Sequence, residues 1–189
     1  MKNESMKAVV VLTLFSIIVM VVLAGVNVLT KDQIIANEKQ AILDSLAEIN
    51  KTKELNGSAP VENYVNLEEQ RNALSNDLKK SIVAIFYDQV NDGYAFIFQA
   101  SSSFSSSGPM KYTVYVDSEG KIVAFTEIDY MDSKDFGDNF PSNFHGKNEA
   151  ETDAFNVAEL KTGATYSAKA FKKGLSAVFD AYAIITENN

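Results

Sequence analysis

The chain has 189 residues, with 17 Lys and Arg against 25 Asp and Glu, a single His and no Cys. This length fits one medium-sized domain, or one domain plus an appendage, and the net charge of −8 argues against nucleic acid as a partner. The lack of Cys excludes disulfides, thiol catalysis and Cys-ligated metal centres, and one His argues against a Ser–His–Asp triad or a His-rich metal site.

The first feature along the chain is an apolar stretch over 8–30 without a charged residue. As a helix rising about 1.5 Å per residue it spans a bilayer core of about 30 Å. We therefore predict a tail over 1–7 and a single transmembrane helix over 8–30. A cleaved signal peptide is the alternative, but the stretch exceeds a typical signal-peptide core and lacks a good cleavage site. Lys2 and Lys7 predict a cytoplasmic N-terminus, so that the remainder is extracytoplasmic.

Residues 31–80 are predicted to form a helical stalk and a connecting segment. Ile35, Ile42, Leu46 and Ile49 recur at helical spacing, which predicts that the membrane helix continues to about residue 50. The sequence Gly-Ser-Ala-Pro over 57–60 breaks the chain. Three leucines within 66–80, with acidic residues early and lysines late, predict a short amphipathic helix there.

From residue 81 the pattern changes to strands, and 81–189 is predicted to be a separate domain. Runs of β-forming residues at 82–87, 94–98, 112–116 and 122–128 alternate with turn sequences, which predicts an antiparallel sheet. A helical stretch follows to about Ile185. One face of that stretch carries Phe171, Leu175, Val178, Phe179 and Tyr182. The predicted class is α+β: a transmembrane helix with a stalk, then an antiparallel-sheet domain with a C-terminal helix.

The start of the C-terminal helix is the strongest candidate site. Gly163 breaks the preceding chain, so the helix must begin near Thr165. Hydroxyls at Thr165 and Ser167 then lie where helix amides have no intrahelical acceptor, and the partial positive charge of a helix start suits a phosphate. An ordinary N-cap role for Thr165 is the alternative.

The segment 159–167, Glu-Leu-Lys-Thr-Gly-Ala-Thr-Tyr-Ser, resembles the Ser/Thr-Gly-Ala-Thr flavinylation signature of the FMN-binding domain family. Further similarity occurs in register at 93–96, 120–123 and 144–147. At 132–137 the family has Glu-Thr-Pro-Gly-Leu-Gly and this chain has Asp-Ser-Lys-Asp-Phe-Gly. With its N-terminal anchor, the layout is similar to the G subunit of the Rnf ion-translocating ferredoxin:NAD oxidoreductase and the C subunit of the sodium-pumping NADH:quinone reductase.

The resemblance implies that FMN is bound covalently to Thr165 through a phosphoester that a separate flavin transferase makes. It implies an electron-carrying subunit of an Rnf-type translocase in the cell membrane, without independent turnover, whose partners are other subunits and membrane lipid. The other implied cofactor-binding residues are Thr162, Gly163, Ala164 and Ser167 at the phosphate, the upstream acid Glu159, which is usually Asp in the family, and Asp132, Ser133 and Gly137 near the flavin ring.

Two other functions remain open: a free-standing cell-surface flavoprotein of extracellular electron transfer, and a cofactor-free binding module in which Thr165 only caps the helix. Several residues have simpler interpretations than chemistry. His145 is expected in a loop rather than as a proton carrier, and the sequence has no Gly-rich dinucleotide or P-loop motif. The acids at 129, 132, 135 and 138 lack an EF-hand pattern and favour a solvated loop over a calcium site, and the phenylalanines at 136, 140 and 144 favour core or pocket lining over an electron relay.

Overall fold

The computed structural model describes residues 2–52, 61–103, 108–130, 140–157 and 164–187, and it confirms the α+β class. The described residues form one five-stranded antiparallel sheet whose strands lie side by side in chain order. The strands are β1 (Tyr64–Asn66), β2 (Ile82–Asp88), β3 (Gly93–Ala100), β4 (Met110–Val116) and β5 (Ile122–Asp129). The α-helices are α1 (Lys2–Thr52), α2 (Glu68–Ala73), α3 (Asn76–Ser81), α4 (Glu149–Ala154) and α5 (Thr165–Glu187).

Helix α1 confirms that the N-terminal helix continues well beyond the apolar stretch. From Val9 it is long and apolar enough to cross a membrane, by length and composition. The chain divides into two compact units, Met1–Ala41 and Ile42–Asn189. In the first unit the apolar side chains, such as Leu14 and Ile18, are exposed, as expected of a helix that faces lipid.

The second unit has three layers, because helices cover both faces of the sheet. The last turns of α1 bury Leu46 and Ile49 against Ala95, Tyr115 and Ala124 on one face. On the other face helix α5 buries four of its five predicted apolar residues, and the fifth, Tyr182, is partly buried. As a result, consecutive residues of β3 and β4 are buried rather than alternate ones.

The region 66–80 differs from the single helix that the sequence predicts. Two short helices, α2 and α3, meet at Leu74 and Ser75, where Leu74 is buried and Ser75 caps α3 by accepting a hydrogen bond from the amide of Leu78 at 3.3 Å. Strand β1, only three residues long, was not predicted. The capping hydroxyl therefore begins a new helix where leucine spacing alone suggested a continuous one.

The sequence Asn-Asp-Gly at 91–93 predicts a tight turn between β2 and β3 that relies on the freedom of its glycine. The tight connection is confirmed, but the glycine has a different role. The left-handed residue is Asp92, with φ of 50°, and Gly93 begins β3. A Cβ atom at Gly93 would contact the ring of Tyr115, with Cζ at 2.5 Å. Gly93 is thus required by a close approach of a neighbouring strand rather than by the turn itself.

Candidate cofactor site

The direction of α5 places its first residue at one end of the sheet. Near the C-terminus of α5, Tyr182 packs against Tyr94 at the start of β3, with ring centroids 5.7 Å apart. Further back, Gly174 lies against Phe98 and Ala100 at the end of β3. Helix α5 is therefore antiparallel to β3. Nine more residues, roughly 13.5 Å of helix, carry Thr165 past the end where β3 stops and β4 starts, which we call the β3–β4 end.

The helix starts where the sequence predicts. The amide of Ala168 donates a hydrogen bond to the carbonyl of Ala164 at 3.0 Å, and this is the first helical hydrogen bond after residue 163. Thr165 is therefore the first helical residue. Ala164 and Ser167 are buried, Thr165 is half-buried and Tyr166 is 59% exposed. The Thr165 side chain is thus the accessible one of the two hydroxyls predicted at this helix start.

Charge at this helix start favours an anion. The first turn of α5 contains no acidic residue, and Lys169 is exposed one turn later. The amides of a first turn carry a partial positive charge that falls off within that turn. A phosphate on the Thr165 oxygen would meet this partial charge and a nearby lysine ammonium, so the described residues fit a phosphoester.

The other predicted site residues fall into two groups. Ala164 directly precedes α5 and Ser167 lies in its first turn, and both are buried. Strand β5 ends at Asp129, which pairs with Lys111 at the same β3–β4 end, so the chain leaves the sheet there before the predicted ring-side residues. The remaining predicted residues, Glu159, Thr162, Gly163, Asp132, Ser133 and Gly137, lie outside the described residues.

An aromatic cluster supports the N-terminal half of α5. The ring of Phe171 lies 5.0 Å from that of Tyr112 and 5.4 Å from that of Phe98, both edge-to-face. Phe140 and Phe144 also contact Phe171 and are buried, which confirms their prediction as core residues; Phe136 lies outside the described residues. These rings fix the height and rotation of the helix that begins at Thr165.

Two contacts near this end were not predicted. His145 stacks on Phe125, with ring centroids 5.5 Å apart and planes 9° apart, and partial burial lowers the pKa of His145. The Tyr112 hydroxyl donates to the Glu127 carboxylate at 2.7 Å. Both contacts join residues that are distant in sequence. The strand register places Tyr112 opposite Glu127, so knowledge of that register would have identified the hydrogen bond between Tyr112 and Glu127.

A groove lies at the opposite end of the sheet. Its lining includes Gly120 from the β4–β5 turn, Glu149 from α4, and Phe179 and Tyr182 from α5. Because α5 separates this groove from Thr165 by most of its length, the groove is not part of the candidate cofactor site. No cluster of three or more metal-binding side chains occurs among the described residues.

Comparison with known families gives two matches in different parts of the chain. Residues 1–49 match the family described as RnfG N-terminal region, and residues 106–180 match the FMN-binding domain. No curated protein matches the chain. The FMN-binding match contains β4, β5, Thr165 and all of the aromatic cluster except Phe98, and the other match contains the apolar part of α1. Because both matches fall in their expected order on one chain, the protein is RnfG-like in its N-terminal region and contains an FMN-binding domain.

Proposed function

We propose that this protein carries electrons through FMN bound covalently to Thr165, within a membrane-bound, Rnf-type ion-translocating oxidoreductase. The observation that carries the proposal is the position of Thr165, a partly exposed hydroxyl at the first residue of α5. The FMN-binding match supports the cofactor, and the RnfG N-terminal match supports the complex.

The chain's own residues have clear roles in this proposal. A flavin transferase catalyses the step in which the Thr165 Oγ1 atom loses its proton and bonds to the FMN phosphorus. The bond between that phosphorus and its leaving group in the flavin donor breaks, and the leaving group, AMP where the donor is FAD, takes up the proton. The start of α5 and Lys169 then stabilise the phosphate charge. Thr162, Gly163, Ala164 and Ser167 are proposed to shape this phosphate seat, and Glu159 is proposed as the upstream acid of the attachment signature. Asp132, Ser133 and Gly137 are proposed for the side of the flavin ring.

Bound FMN would supply one- and two-electron transfer, and the protein supplies position and environment. A phosphoester leaves the flavin ring unmodified and prevents loss of the cofactor, which matters outside the cytoplasm. We assign residues 1–7 to a cytoplasmic tail, 8–30 to the membrane and 81–189 to an extracytoplasmic FMN-binding domain, connected by the stalk and linking segment over 31–80. Electrons enter from and leave to other subunits, so the chain has no turnover by itself.

The tether is tested by in-gel flavin fluorescence after denaturing electrophoresis, with a flavin transferase co-expressed. We expect a fluorescent band for the wild type and for Thr165→Ser, which keeps a hydroxyl, and a dark band for Thr165→Ala. Thr186→Ala is the matched control, because Thr186 lies at the other end of α5 and its hydroxyl donates to the Tyr182 carbonyl at 2.8 Å. Intact mass should show the gain of one FMN less one water.

A dark wild-type band would contradict the covalent cofactor and leave the cofactor-free binding module. Fluorescence that persists in Thr165→Ala would contradict Thr165 as the attachment site. The role in the complex is tested separately by purification from membranes of the native host. Rnf-type subunits should co-purify with the chain. A flavinylated chain that purifies alone would support the free-standing cell-surface flavoprotein instead.

A further inference from the structure

We propose that one face of α1, defined by Thr13, Ser16, Asn27 and Ile34, is the surface that packs against a transmembrane helix of another subunit. This inference rests on the proposed function, because it requires α1 to lie in a membrane within a complex. It adds which side of the helix meets the partner and what chemistry the partner presents there.

The first observation is the placement of polar side chains in the apolar stretch. At about 100° per residue, Thr13, Ser16, Asn27 and Thr30 fall within about 100° of arc, and the stretch over 8–30 contains no other hydroxyl or amide side chain. The opposite face carries apolar residues such as Leu14, Ile18 and Val22, all exposed. In lipid, polar side chains collect on the side of a helix that faces protein.

The second observation comes from the part of α1 that follows the apolar stretch. Ile34 lies on the same face, at the same angular position as Ser16, and is 55% exposed between the charged residues Lys31 and Glu38. Within the apolar stretch this face therefore holds all the hydroxyl and amide side chains, alongside apolar ones such as Leu12 and Leu23, and beyond the stretch it carries an apolar residue between two charged ones. Both features are explained if protein covers the face over both segments.

The hydrogen bonds within α1 specify what a partner must offer. The hydroxyls of Thr13 and Ser16 donate to the carbonyls of Val9 and Leu12 at 2.8 and 2.9 Å, so each presents only an acceptor oxygen to a neighbour. The side-chain amide of Asn27 makes no hydrogen bond to a described residue and offers two donors and one acceptor. A fitting partner is a transmembrane helix with a hydroxyl or amide donor opposite Ser16 and an acceptor opposite Asn27.

The test uses site-specific photo-crosslinking in membranes that contain the assembled complex. A photoreactive amino acid is placed at Ser16 or Ile34 on the proposed face, and at Ile18 or Gln33 on the far side. We expect covalent products with another subunit from the first pair and none from the second. Equal products from both pairs, or no products from Ser16 and Ile34, would overturn the proposal. Products that join two copies of this chain would assign the face to a homodimer and also overturn it.

A second measurement uses substitutions that keep α1 apolar enough for the membrane. Ser16→Leu combined with Asn27→Leu should lower recovery of the co-purified partner by about three- to tenfold, the scale of one or two interhelical hydrogen bonds. The matched control, Val11→Leu with Val22→Leu, should leave recovery unchanged; equal loss in both would contradict a specific face. In-gel flavin fluorescence of the same samples shows whether Thr165 is flavinylated, so failure of this inference is distinguished from failure of the FMN proposal.

Discussion

The two faces of the sheet are held to their helices by different chemistry. Against α5 the contact is apolar and aromatic, centred on Phe171. Against the end of α1 it contains most of the buried polar side chains among the described residues, namely Ser45, Asn50, Asp88 and Thr113. Apolar packing supplies much of the stability, whereas buried hydrogen bonds are satisfied in few arrangements and so specify position.

The polar contacts of the α1 face form two short networks. Thr113 donates to Ser45 at 2.6 Å, because the Ser45 proton is committed to the carbonyl of Ile42 at 2.7 Å. Tyr64 donates to Asn50 at 2.8 Å. Helix α5 is therefore held mainly by the shape complementarity of apolar side chains. The last turns of α1 are held in addition by hydrogen bonds that fix their register along the sheet.

The buried carboxylate of Asp88 anchors the polar face. Its Oδ2 atom accepts from the Tyr115 hydroxyl at 3.2 Å and from the Asn91 side-chain amide at 2.9 Å, and its Oδ1 atom accepts from the backbone amides of Val90 and Asn91 at 3.0 and 3.3 Å. The same carboxylate therefore holds the β2–β3 turn and a ring of β4. This arrangement is possible only because Gly93 leaves room for Tyr115.

The largest expected effect comes from Gly93→Ala, which tests that requirement. The new methyl group would overlap the Tyr115 ring, which is fully buried and cannot move without losing its bond to Asp88. We expect a loss of about 3 kcal/mol in the free energy of unfolding, from overpacking plus one broken buried hydrogen bond. Urea unfolding of the purified chain in detergent, followed by circular dichroism, measures it. Gly25→Ala is the control, because a Cβ there meets nothing within 4 Å; equal stability of Gly93→Ala and wild type would contradict the packing argument.

The second prediction uses alkaline pH to separate the faces. Burial, followed by the charge of Asp88, raises the pKa of both Tyr64 and Tyr115 above the ordinary value of 10. The unfolded chain releases these protons above pH 10 while the folded chain keeps them, so stability is fully present below pH 10 and falls as pH rises. We expect up to about 1.4 kcal/mol per pH unit for each tyrosine.

Urea midpoints measured between pH 8 and 11 check this dependence. Tyr64→Phe should flatten the decline. Tyr166→Phe is the matched control, because it removes a phenol that is mostly exposed. A slope above pH 10 that Tyr64→Phe does not alter would refute the assignment to this residue.

Gly174→Ala adds a methyl group on the apolar face of the sheet, as Gly93→Ala does on the polar face. A Cβ at Gly174 would lie 2.5 and 2.6 Å from two ring carbons of Phe98, which is fully buried. Overpacking costs about 1–3 kcal/mol, and the better helix propensity of alanine returns about 1 kcal/mol. We therefore expect a net loss of about 1 kcal/mol by urea unfolding, smaller than at Gly93 because no buried hydrogen bond is broken. A loss that matches or exceeds that of Gly93→Ala would remove the proposed difference between the faces.

Much of the fold was predictable because its signals are local. The four longer strands follow from runs of β-forming residues, and α5 follows from the spacing of Phe171, Leu175 and Val178. The spacing of Leu46 and Ile49 predicted a helix with an apolar face, but not that this face covers the sheet. Gly93 was assigned to a turn because its contact with Tyr115 cannot be predicted locally. Tyr115 lies 22 residues further along the chain, and no local sequence pattern indicates that the two residues touch.

The candidate site also has a part that the sequence predicts and a part that depends on tertiary packing. The start of α5 was predictable from Gly163 and the hydroxyls that follow, because helix starts have a local signature. The half-exposure of Thr165, the burial of Ser167 and the aromatic support beneath the helix depend on how α5 packs on β3 and β4. The choice of Thr165 over Ser167 as the tether came from family resemblance, and structure adds that Thr165 is the more accessible of the two.

The smallest expected effect is Thr113→Val, which removes one hydroxyl from the polar face while keeping its shape. Ser45 retains its bond to the Ile42 carbonyl, so only the Thr113 bond is lost. We expect a loss of about 1 kcal/mol by urea unfolding, the net value of one hydrogen bond. Thr113→Val combined with Ser45→Ala should cost less than the sum of the two single changes, because the bond can be broken only once. Strict additivity in this double-mutant cycle would show that the two hydroxyls do not interact, and that the contact between Ser45 and Thr113 does not set the register of α1 on the sheet.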